Sequence, residues 1–449
     1  MKLNEHAVRA YNAKATNLVQ KLIARPPRQN AKNPSFAIDA HISATIPFEE
    51  LLNVRMSGSD REGNEASKSF YHNGQTFEIC GEDYQILKRV AEGMHKTPEL
   101  RDRVSVAMLA SLIFDWIAEN HKKTTTLSMT EYVLAELEPK IQDFEVWIPI
   151  AATRIQSEFG FGNMRIRTIT RKMLDEWEAE VREARPDAAA GHDVFFQRWR
   201  KALLGLAAAT MELRAEPDRA YELASAEAER TLAVLRCLSP YSCFPFTVNK
   251  SVPLGQESER GFQYFMTHQG RITFSSSGYE ATPYDEWRIG EDSLEQMKSF
   301  GMDKFSALLK VKKTTGFQRD LLHALQLYGK SSTFTDPADK LTYILAPLDA
   351  LLRSDRTQSI DDLADRLVMF VDKKASGRKE ALIVIRAIYD RSLSFVHSEH
   401  TKKDLELLEK FMIIAWTFFI NVIGNANIYE SRLDFINDID NAKYSGGLA

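Results

Sequence analysis

The C-terminal part of the chain is patterned almost without interruption for amphipathic helices, and this pattern limits its fold more than any other feature. Apolar residues recur at intervals of three and four from about residue 302 to residue 440, the spacing of one face of an α-helix. Helices with wide apolar faces and short connecting loops pack into a bundle. The pattern predicts helices at 302–311, 317–330, 337–354, 360–373, 378–397, 402–423 and 428–440.

Residues at the expected helix ends support these boundaries. Asp336 precedes Pro337, which fits an N-cap followed by proline at the first helical position. Thr401 and Asp404 resemble a capping box. The helix that follows them contains the most apolar run of the chain, residues 411–423. Because a membrane span needs about 20 apolar residues, we interpret this run as a buried core helix.

Several segments of the first 300 residues have a hydrophobic period of two, which is typical of β-strands. Apolar and polar residues alternate over 35–46, 144–150 and 164–170, as expected of half-buried strands. Asn73 and Gly74 stand between two short apolar runs, and both residues tolerate positive φ, so they predict a β-hairpin. Helical patterns and one short strand, at 211–214, lie between these segments. The predicted helices are 3–25, 83–94, 98–120, 171–184, 193–209 and 217–237.

We therefore predict an α+β chain, in which a mixed α/β N-terminal region is followed by an all-α helical bundle. A length of 449 residues suits two or three domains. The predicted segments are an N-terminal α+β domain over 1–185, a mixed connecting region over 186–300 and a helical domain over 301–445.

Composition narrows the class of protein. A net charge of -4 argues against a chain that coats nucleic acid along its whole surface, although a local basic groove remains compatible with it. The three cysteines form no CxxC pair, so we expect neither a zinc ribbon nor a disulfide scaffold. The first 25 residues lack the apolar core of a signal peptide. We therefore expect a cytoplasmic protein without a membrane partner. No phosphate-binding GxxxxGK[ST] motif and no dinucleotide-binding GxGxxG motif occurs, which disfavours a Walker ATPase and a Rossmann enzyme.

The segment 388–397 carries the most specific motif, in which five residues separate Arg391 from His397. Upstream, Tyr328 and Gly329 end one predicted helix, Asp336-Pro337 begins the next, and Asp349 precedes a leucine pair. In this order the segments resemble the ApeA-like branch of the HEPN family, over about residues 302–424. The resemblance implies a helical HEPN bundle and a dimeric, metal-independent RNA-cleaving site without a cofactor. Asp349 stands where that family usually has glutamate.

The chemistry of the pair can also be argued from the residues themselves. Six residues of helix advance about 9 Å and 600°, so the two side chains point about 120° apart, and one helix alone makes a poor site. Two such helices across a twofold axis would bring two arginines and two histidines into one cleft. RNA supplies the nucleophile through its 2′-hydroxyl, a histidine can transfer the proton, and an arginine can stabilise the phosphate charge. No metal is required.

Other side chains are candidates for supporting roles. Ser392 could donate a hydrogen bond to phosphate, and Asp390 or Asp349 could orient the catalytic side chains. Lys373, Lys374, Arg378 and Lys379 could line a path for RNA. Solvated helix ends explain these four cations equally well.

Three functions follow from these observations. The first is an endoribonuclease effector of the kind used in phage defence, abortive infection or toxin systems. In that reading the first 300 residues restrain the nuclease until a phage-derived or cellular trigger arrives. The second is a non-catalytic HEPN module that binds RNA, a nucleotide or a protein partner. The third is a scaffold whose helical domain only forms homodimers.

Overall fold

The computed structural model has a mixed architecture, with helix over 63% of the chain and strand over 15%, so the fold class is α+β as predicted. It describes residues 4–25, 35–39, 42–45, 55–59, 65–184, 189–256, 262–268, 271–276, 286–355, 358–397 and 400–445.

Helices follow one another in the described part of the chain as α1 (Glu5–Gln20), α2 (Gly81–His95), α3 (Pro98–Arg101), α4 (Val106–His121), α5 (Met129–Leu137), α6 (Arg171–Ala184), α7 (Ala189–Leu203), α8 (Pro217–Arg236), α9 (Glu291–Ser299), α10 (Met302–Lys310), α11 (Gly316–Ser331), α12 (Pro337–Leu352), α13 (Ile360–Val368), α14 (Ala375–His397), α15 (Lys402–Val422) and α16 (Arg432–Ser445).

All strands of the described residues lie in the first 290 residues. In chain order they are β1 (Ile23–Arg25), β2 (Ser35–Asp39), β3 (Ile42–Thr45), β4 (Arg55–Ser59), β5 (Glu65–His72), β6 (Gln75–Cys80), β7 (Gln142–Pro149), β8 (Thr153–Ile155), β9 (Phe159–Phe161), β10 (Met164–Thr168), β11 (Ala207–Ala215), β12 (Phe262–His268), β13 (Arg271–Ser276) and β14 (Trp287–Ile289).

The chain divides into two compact units. The first unit consists of Met1–Phe144 and Leu213–Ala220, and the second consists of Glu145–Glu212 and Tyr221–Ala449. These limits differ from the three segments expected from the sequence, which stay predictions about independently folding domains.

The first unit contains a four-stranded sheet in the order β1-β6-β5-β4, with antiparallel neighbours. Its central hairpin turns at Asn73 and Gly74, both with positive φ, which confirms the predicted hairpin. Phe70 and Ile79 of the hairpin are buried with Leu87 of α2 in one apolar core. The single strand expected over 35–46 was wrong, because β2 and β3 pair with each other as a separate antiparallel hairpin.

A six-stranded sheet, in the order β13-β12-β7-β11-β10-β9, belongs mainly to the second unit. Helices α6 and α7 supply Trp177 and Trp199 to an aromatic core around Trp147 of β7. The helix predicted over 193–209 ends at residue 203, and β11 begins four residues later. Three buried alanines open β11, so pairing within the sheet overrides the helical preference of alanine.

The seven helices predicted after residue 301 are all present within a few residues of their expected limits. The larger differences are that α13 ends at Val368, that α14 begins at Ala375 and that α16 extends to Ser445. Their apolar faces meet in a shared core, as the periodicity required. Fully buried members of this core are Leu321, Leu325, Ile344, Leu348, Ile385, Ile388, Phe411 and Phe418.

Helix α15 is one of the long apolar helices in the described part of the chain. The stretch Lys402–Asn425 is long and apolar enough to cross a membrane by length and composition, and half of its most apolar 18-residue segment is buried inside the protein. Phe411 and Phe418 pack against Tyr389 and Phe370, and Asn421 Nδ2 donates to the Phe370 carbonyl over 2.6 Å. These contacts fit the predicted core helix.

The end of α8 is locked to the end of α11. A Cβ atom added to Gly329 would lie 1.7 Å from the carbonyl oxygen of Ala233, so the two helices approach too closely for any side chain there. Arg236 donates to the carbonyls of Gly329 over 2.9 Å and Ser251 over 2.7 Å. Part of the expected connecting region is therefore packed against the C-terminal helices, and it holds the loop at 239–250 in place.

Candidate functional site

Arg391 lies at the surface near the end of α14, where that helix runs beside the start of α15. Its Nη1 atom donates to Oδ1 of Asp404 over 2.9 Å, and its side chain is 53% exposed. A guanidinium stays charged at all accessible pH values and presents several donors in one plane. Arg391 therefore offers a permanent cation at the junction of α14 and α15.

Asp404 connects this cation to the cap of α15. Thr401 and Asp404 form the predicted capping box, in which the Asp404 carboxylate accepts from the Thr401 backbone over 3.0 Å. Hydrogen bonds from Thr401, and then the charge of Arg391, hold the pKa of Asp404 below its ordinary value. Asp404 was expected only as a cap, because no local pattern in the sequence links it to Arg391.

Asp349 of α12 lies beside Tyr389, which precedes Arg391 by two residues on α14. The Tyr389 hydroxyl donates to Asp349 Oδ1 over 2.7 Å, and Arg353 Nε lies 3.5 Å from the same atom. Burial, followed by the Asp349 charge, raises the pKa of Tyr389. The contacts found for Asp349 are thus with Tyr389 and Arg353, and its expected role in orienting the catalytic side chains stays a prediction.

The neighbours of Arg391 on α14 have separate surroundings. Ser392 Oγ donates to the Tyr389 carbonyl over 2.8 Å, one turn back on the helix. Asp390 is exposed. His397 is the last residue of α14, and its side chain lies outside the described residues. Position 397 follows Asp390 by seven residues, about two helical turns, so the two positions share a face of the helix.

A second histidine, His400, lies just before α15. Its ring centroid is 5.0 Å from that of Phe395 on α14, and its Nε2 atom is 3.7 Å from Oδ1 of Asp336, the N-cap of α12. The start of α12 therefore lies close to the end of α14.

The four cations expected to line a path for RNA surround the start of α14. Lys373, Lys374 and Lys379 are exposed. Arg378 is half-buried and donates to the carbonyls of Asp372 over 2.7 Å and Lys373 over 3.3 Å. Arg378 therefore braces the turn into α14, whereas the three lysines keep their charges at the surface.

Groups that could carry other chemistry are sparse in the described residues. They contain no cluster of three or more histidine, cysteine, aspartate or glutamate side chains suited to hold a metal ion. The three cysteines are free thiols. Burial raises the pKa of Cys237 to about 12 and that of Cys243 to about 11, so both thiols are protonated at neutral pH and are poor nucleophiles.

A comparison of the chain with protein-family models, curated proteins and solved structures found no match.

Proposed function

We propose that the chain is a metal-independent endoribonuclease of the HEPN type, with Arg391 and His397 as its catalytic residues. The observation that carries the proposal is the exposed guanidinium of Arg391 at the α14–α15 junction, which donates to Asp404. An exposed surface ion pair contributes little free energy, about 0–1 kcal/mol, so a phosphate can compete for Arg391 at small cost. The Arg391–His397 spacing and the upstream motifs supply the rest of the support.

The reaction follows from the roles of the two side chains. His397 removes the proton of the ribose 2′-hydroxyl, whose oxygen attacks the adjacent phosphorus. Arg391 stabilises the negative charge that develops on the phosphate oxygens. The bond from phosphorus to the 5′-oxygen breaks, and that oxygen takes up a proton. The products are a 2′,3′-cyclic phosphate and a 5′-hydroxyl.

A homodimer would complete the site. Asp390 and Ile383 are exposed on one face of α14, Ile383 to 68%, and helical spacing assigns position 397 to the same face. Two copies of this face across a twofold axis would bury the isoleucine and bring both catalytic pairs together. Light scattering at micromolar concentration should show a dimer; a strict monomer would contradict the composite site.

The biological setting proposed is phage defence or a toxin-like stress response in the cytoplasm. The part of the chain before residue 301 would restrain the nuclease until a phage-derived or cellular trigger binds. The exposed Lys373, Lys374 and Lys379, beside Arg378, would attract the RNA backbone.

The direct test compares wild type with His397→Ala on total cellular RNA in EDTA. Wild type should cut the RNA and leave cyclic phosphate ends. His397→Ala should cut it roughly 10²–10⁴-fold more slowly. His323→Ala is the matched control, because His323 is an exposed histidine on α11 and should not affect cutting. Equal cutting by wild type and His397→Ala, cutting that requires a metal, or 3′-hydroxyl products would contradict the mechanism.

A non-catalytic HEPN module is the second candidate. The ion pair of Arg391 with Asp404 and the hydrogen bond of Asp349 with Tyr389 favour it, because both carboxylates are engaged in contacts that stabilise the helices. In that case wild type would bind RNA, a nucleotide or a protein without cutting RNA, and His397→Ala would behave as wild type does.

A further inference from the structure

The loop after α8 exposes two phenylalanines on either side of a buried proline. A 3₁₀ turn at Pro240–Cys243 leads into Phe244, Pro245 and Phe246. Phe244 is 42% exposed and Phe246 is 70% exposed, and no aromatic ring of the described residues packs against either. Neighbouring exposed aromatic side chains in a soluble protein are typical of a binding surface.

The backbone of this loop is braced from within. Thr247 Oγ1 donates to the carbonyls of Tyr241 and Phe244, over 3.2 Å each. Asn249 Nδ2 donates to Ser239 Oγ over 2.9 Å. The phenylalanines are therefore held in position before any ligand arrives, which reduces the entropy lost on binding.

A buried lysine adds to this bracing. Lys340 of α12 is fully buried, and its amine donates to the carbonyls of Phe244, over 3.3 Å, and Thr247. Removing an ammonium group from water is costly even when it is hydrogen-bonded. Burial lowers the pKa of Lys340 to about 8. A methionine would fill similar space without that cost, so the lysine is explained by the loop conformation that it holds.

A cation and a stacked aromatic pair lie beside the loop. Phe334 stacks on Tyr343 with ring centroids 4.6 Å apart, and the Lys330 amine is 5.3 Å from the Tyr343 centroid. Tyr343 is one helical turn from Lys340 on α12. The loop also passes the end of α11, where its backbone bonds to the Ser332 carbonyl over 2.8 Å. Aromatic faces and a positive charge are thus grouped around the first turns of α12.

These same turns connect the loop to the candidate site. Asp336, which lies 3.7 Å from His400, is four residues before Lys340 and on the same side of α12. The start of α12 therefore contacts both the loop that carries the phenylalanines and His400, which lies against Phe395 of α14.

We propose that Phe244 and Phe246 form a stacking surface for the bases of single-stranded RNA on its way to Arg391, an inference that rests on the proposed nuclease function. Bases stack on aromatic side chains irrespective of sequence, and lysines beside them bind the phosphates. The Lys330 amine over Tyr343 favours a polyanion over an apolar protein segment. Asp339, exposed on the same turn of α12, would weaken RNA binding slightly.

Binding can be measured separately from cleavage with the full chain and a fluorescent 2′-O-methyl RNA of about 12 nucleotides. This probe has no free 2′-hydroxyl and cannot be cut by the proposed mechanism. Phe246→Ala should bind it roughly 5- to 100-fold more weakly by anisotropy. Phe246→Tyr should bind as wild type does. Phe246→Leu keeps an apolar side chain but has no aromatic ring for a base to stack on, so it should bind like the alanine variant. Ile428→Ala, a similarly exposed apolar position in the same unit, is the control and should be unchanged.

The lysine has its own readout. Lys330→Gln should reduce the slope of log affinity against log salt by about 0.7, as expected when one phosphate contact of a single strand is lost. If wild type binds the probe with this salt dependence but never cuts RNA, the proposal of a stacking surface is supported and the proposed nuclease function is contradicted. Equal binding by Phe246→Ala and wild type, full binding by Phe246→Leu, or no binding at all would overturn the stacking surface. So would a Phe246→Ala effect on self-association alone, which would assign the loop to a protein partner.

Discussion

Arg391 and Asp404 form a 2.9 Å ion pair that joins the end of α14 to the first turn of α15. The aspartate has two tasks, since it also completes the capping box with Thr401. Five residues earlier on α14, Arg386 pairs with Asp361 over 2.7 Å and is 51% exposed, close to the exposure of Arg391. The two arginines thus share helix, exposure and type of partner, and differ in their relation to the proposed site.

This likeness makes Arg386 a matched control for the proposed function of Arg391. Arg391→Ala should lower RNA cutting by roughly 10²–10³-fold, because the variant loses charge stabilisation of the transition state. Arg386→Ala should stay within about tenfold of the wild-type rate, because Arg386 lies on the α14 face proposed for the dimer but outside the Arg391–His397 pair. The measurement is the initial rate of cutting of one labelled RNA by all three proteins. Their melting temperatures show whether the variants remain folded. A comparable loss in both variants would mean that general surface charge, and not a site at Arg391, drives cleavage.

Asp404→Asn tests whether the aspartate holds Arg391 for the reaction. The variant keeps a polar side chain at the cap and loses the charge opposite the guanidinium. We expect RNA cutting to fall by less than about tenfold, since an exposed ion pair of this kind contributes about 1 kcal/mol or less. Cutting rates at low and high substrate concentration give the measurement. A loss as large as that of Arg391→Ala would make the aspartate itself essential.

Gly329→Ala should destabilise the second unit. The added methyl group would lie 1.7 Å from the Ala233 carbonyl, so α8 and α11 would have to move apart. Overpacking of this kind costs typically about 1–3 kcal/mol. Gly160→Ala is the control, because a Cβ atom there has no neighbour within 4 Å. Urea unfolding of both variants gives the free energies; equal midpoints would show that the helices adapt without cost.

Asp440 and Arg366 should make part of the stability dependent on acid. The nearly buried guanidinium of Arg366 donates to both carboxylate oxygens of Asp440, over 2.9 and 2.7 Å, and this bonding holds the pKa of Asp440 below its ordinary 3.8. A lowered pKa stabilises the fold above about pH 3.8, and the contribution is lost as the pH falls through the lowered value. Asp440→Asn should therefore lose about 1.5–3 kcal/mol at pH 7 and progressively less below pH 3.8.

The measurement is unfolding by denaturant at pH 7, 5 and 3 for wild type and Asp440→Asn. Asp361→Asn, which breaks the exposed pair with Arg386, should change the free energy by at most about 1 kcal/mol. A difference between wild type and Asp440→Asn that stayed constant down to pH 3 would contradict the assignment.

Lys340 should produce a dependence of the same sign in base. Its pKa is lowered by burial from 10.5 to about 8. Between these two pH values the unfolded chain holds the proton and the folded chain does not, so stability rises with pH over this interval. Lys340→Met removes the titrating group, and the difference in unfolding free energy between wild type and variant should shift in favour of wild type from pH 8 to pH 10. A difference independent of pH would mean that the buried amine keeps its ordinary pKa.

The sequence alone determined the helices of the C-terminal part and the hairpin at Asn73-Gly74. Both depend on local rules, because amphipathic periodicity, caps and turn residues act over a few positions. The capping box of Thr401 and Asp404 and the N-cap at Asp336 were predicted for the same reason. Local rules predicted the strand at 211–214, which lies within β11, and failed for the first residues of β11. There, alanines with a strong helical preference become strand residues because a neighbouring strand satisfies their backbone hydrogen bonds.

Only the tertiary structure decided which distant residues meet. Arg391 pairs with Asp404 and not with Asp390, since α15 folds back beside α14. Tyr389 donates a hydrogen bond to Asp349, which lies 40 positions earlier on another helix. Lysine usually lies in water and phenylalanine in the core, but here Lys340 is buried and Phe246 is exposed. Hydrogen bonds from Lys340 to two carbonyls of the loop offset part of the cost of its desolvation. Composition and periodicity contain no record of such contacts between residues far apart in the chain.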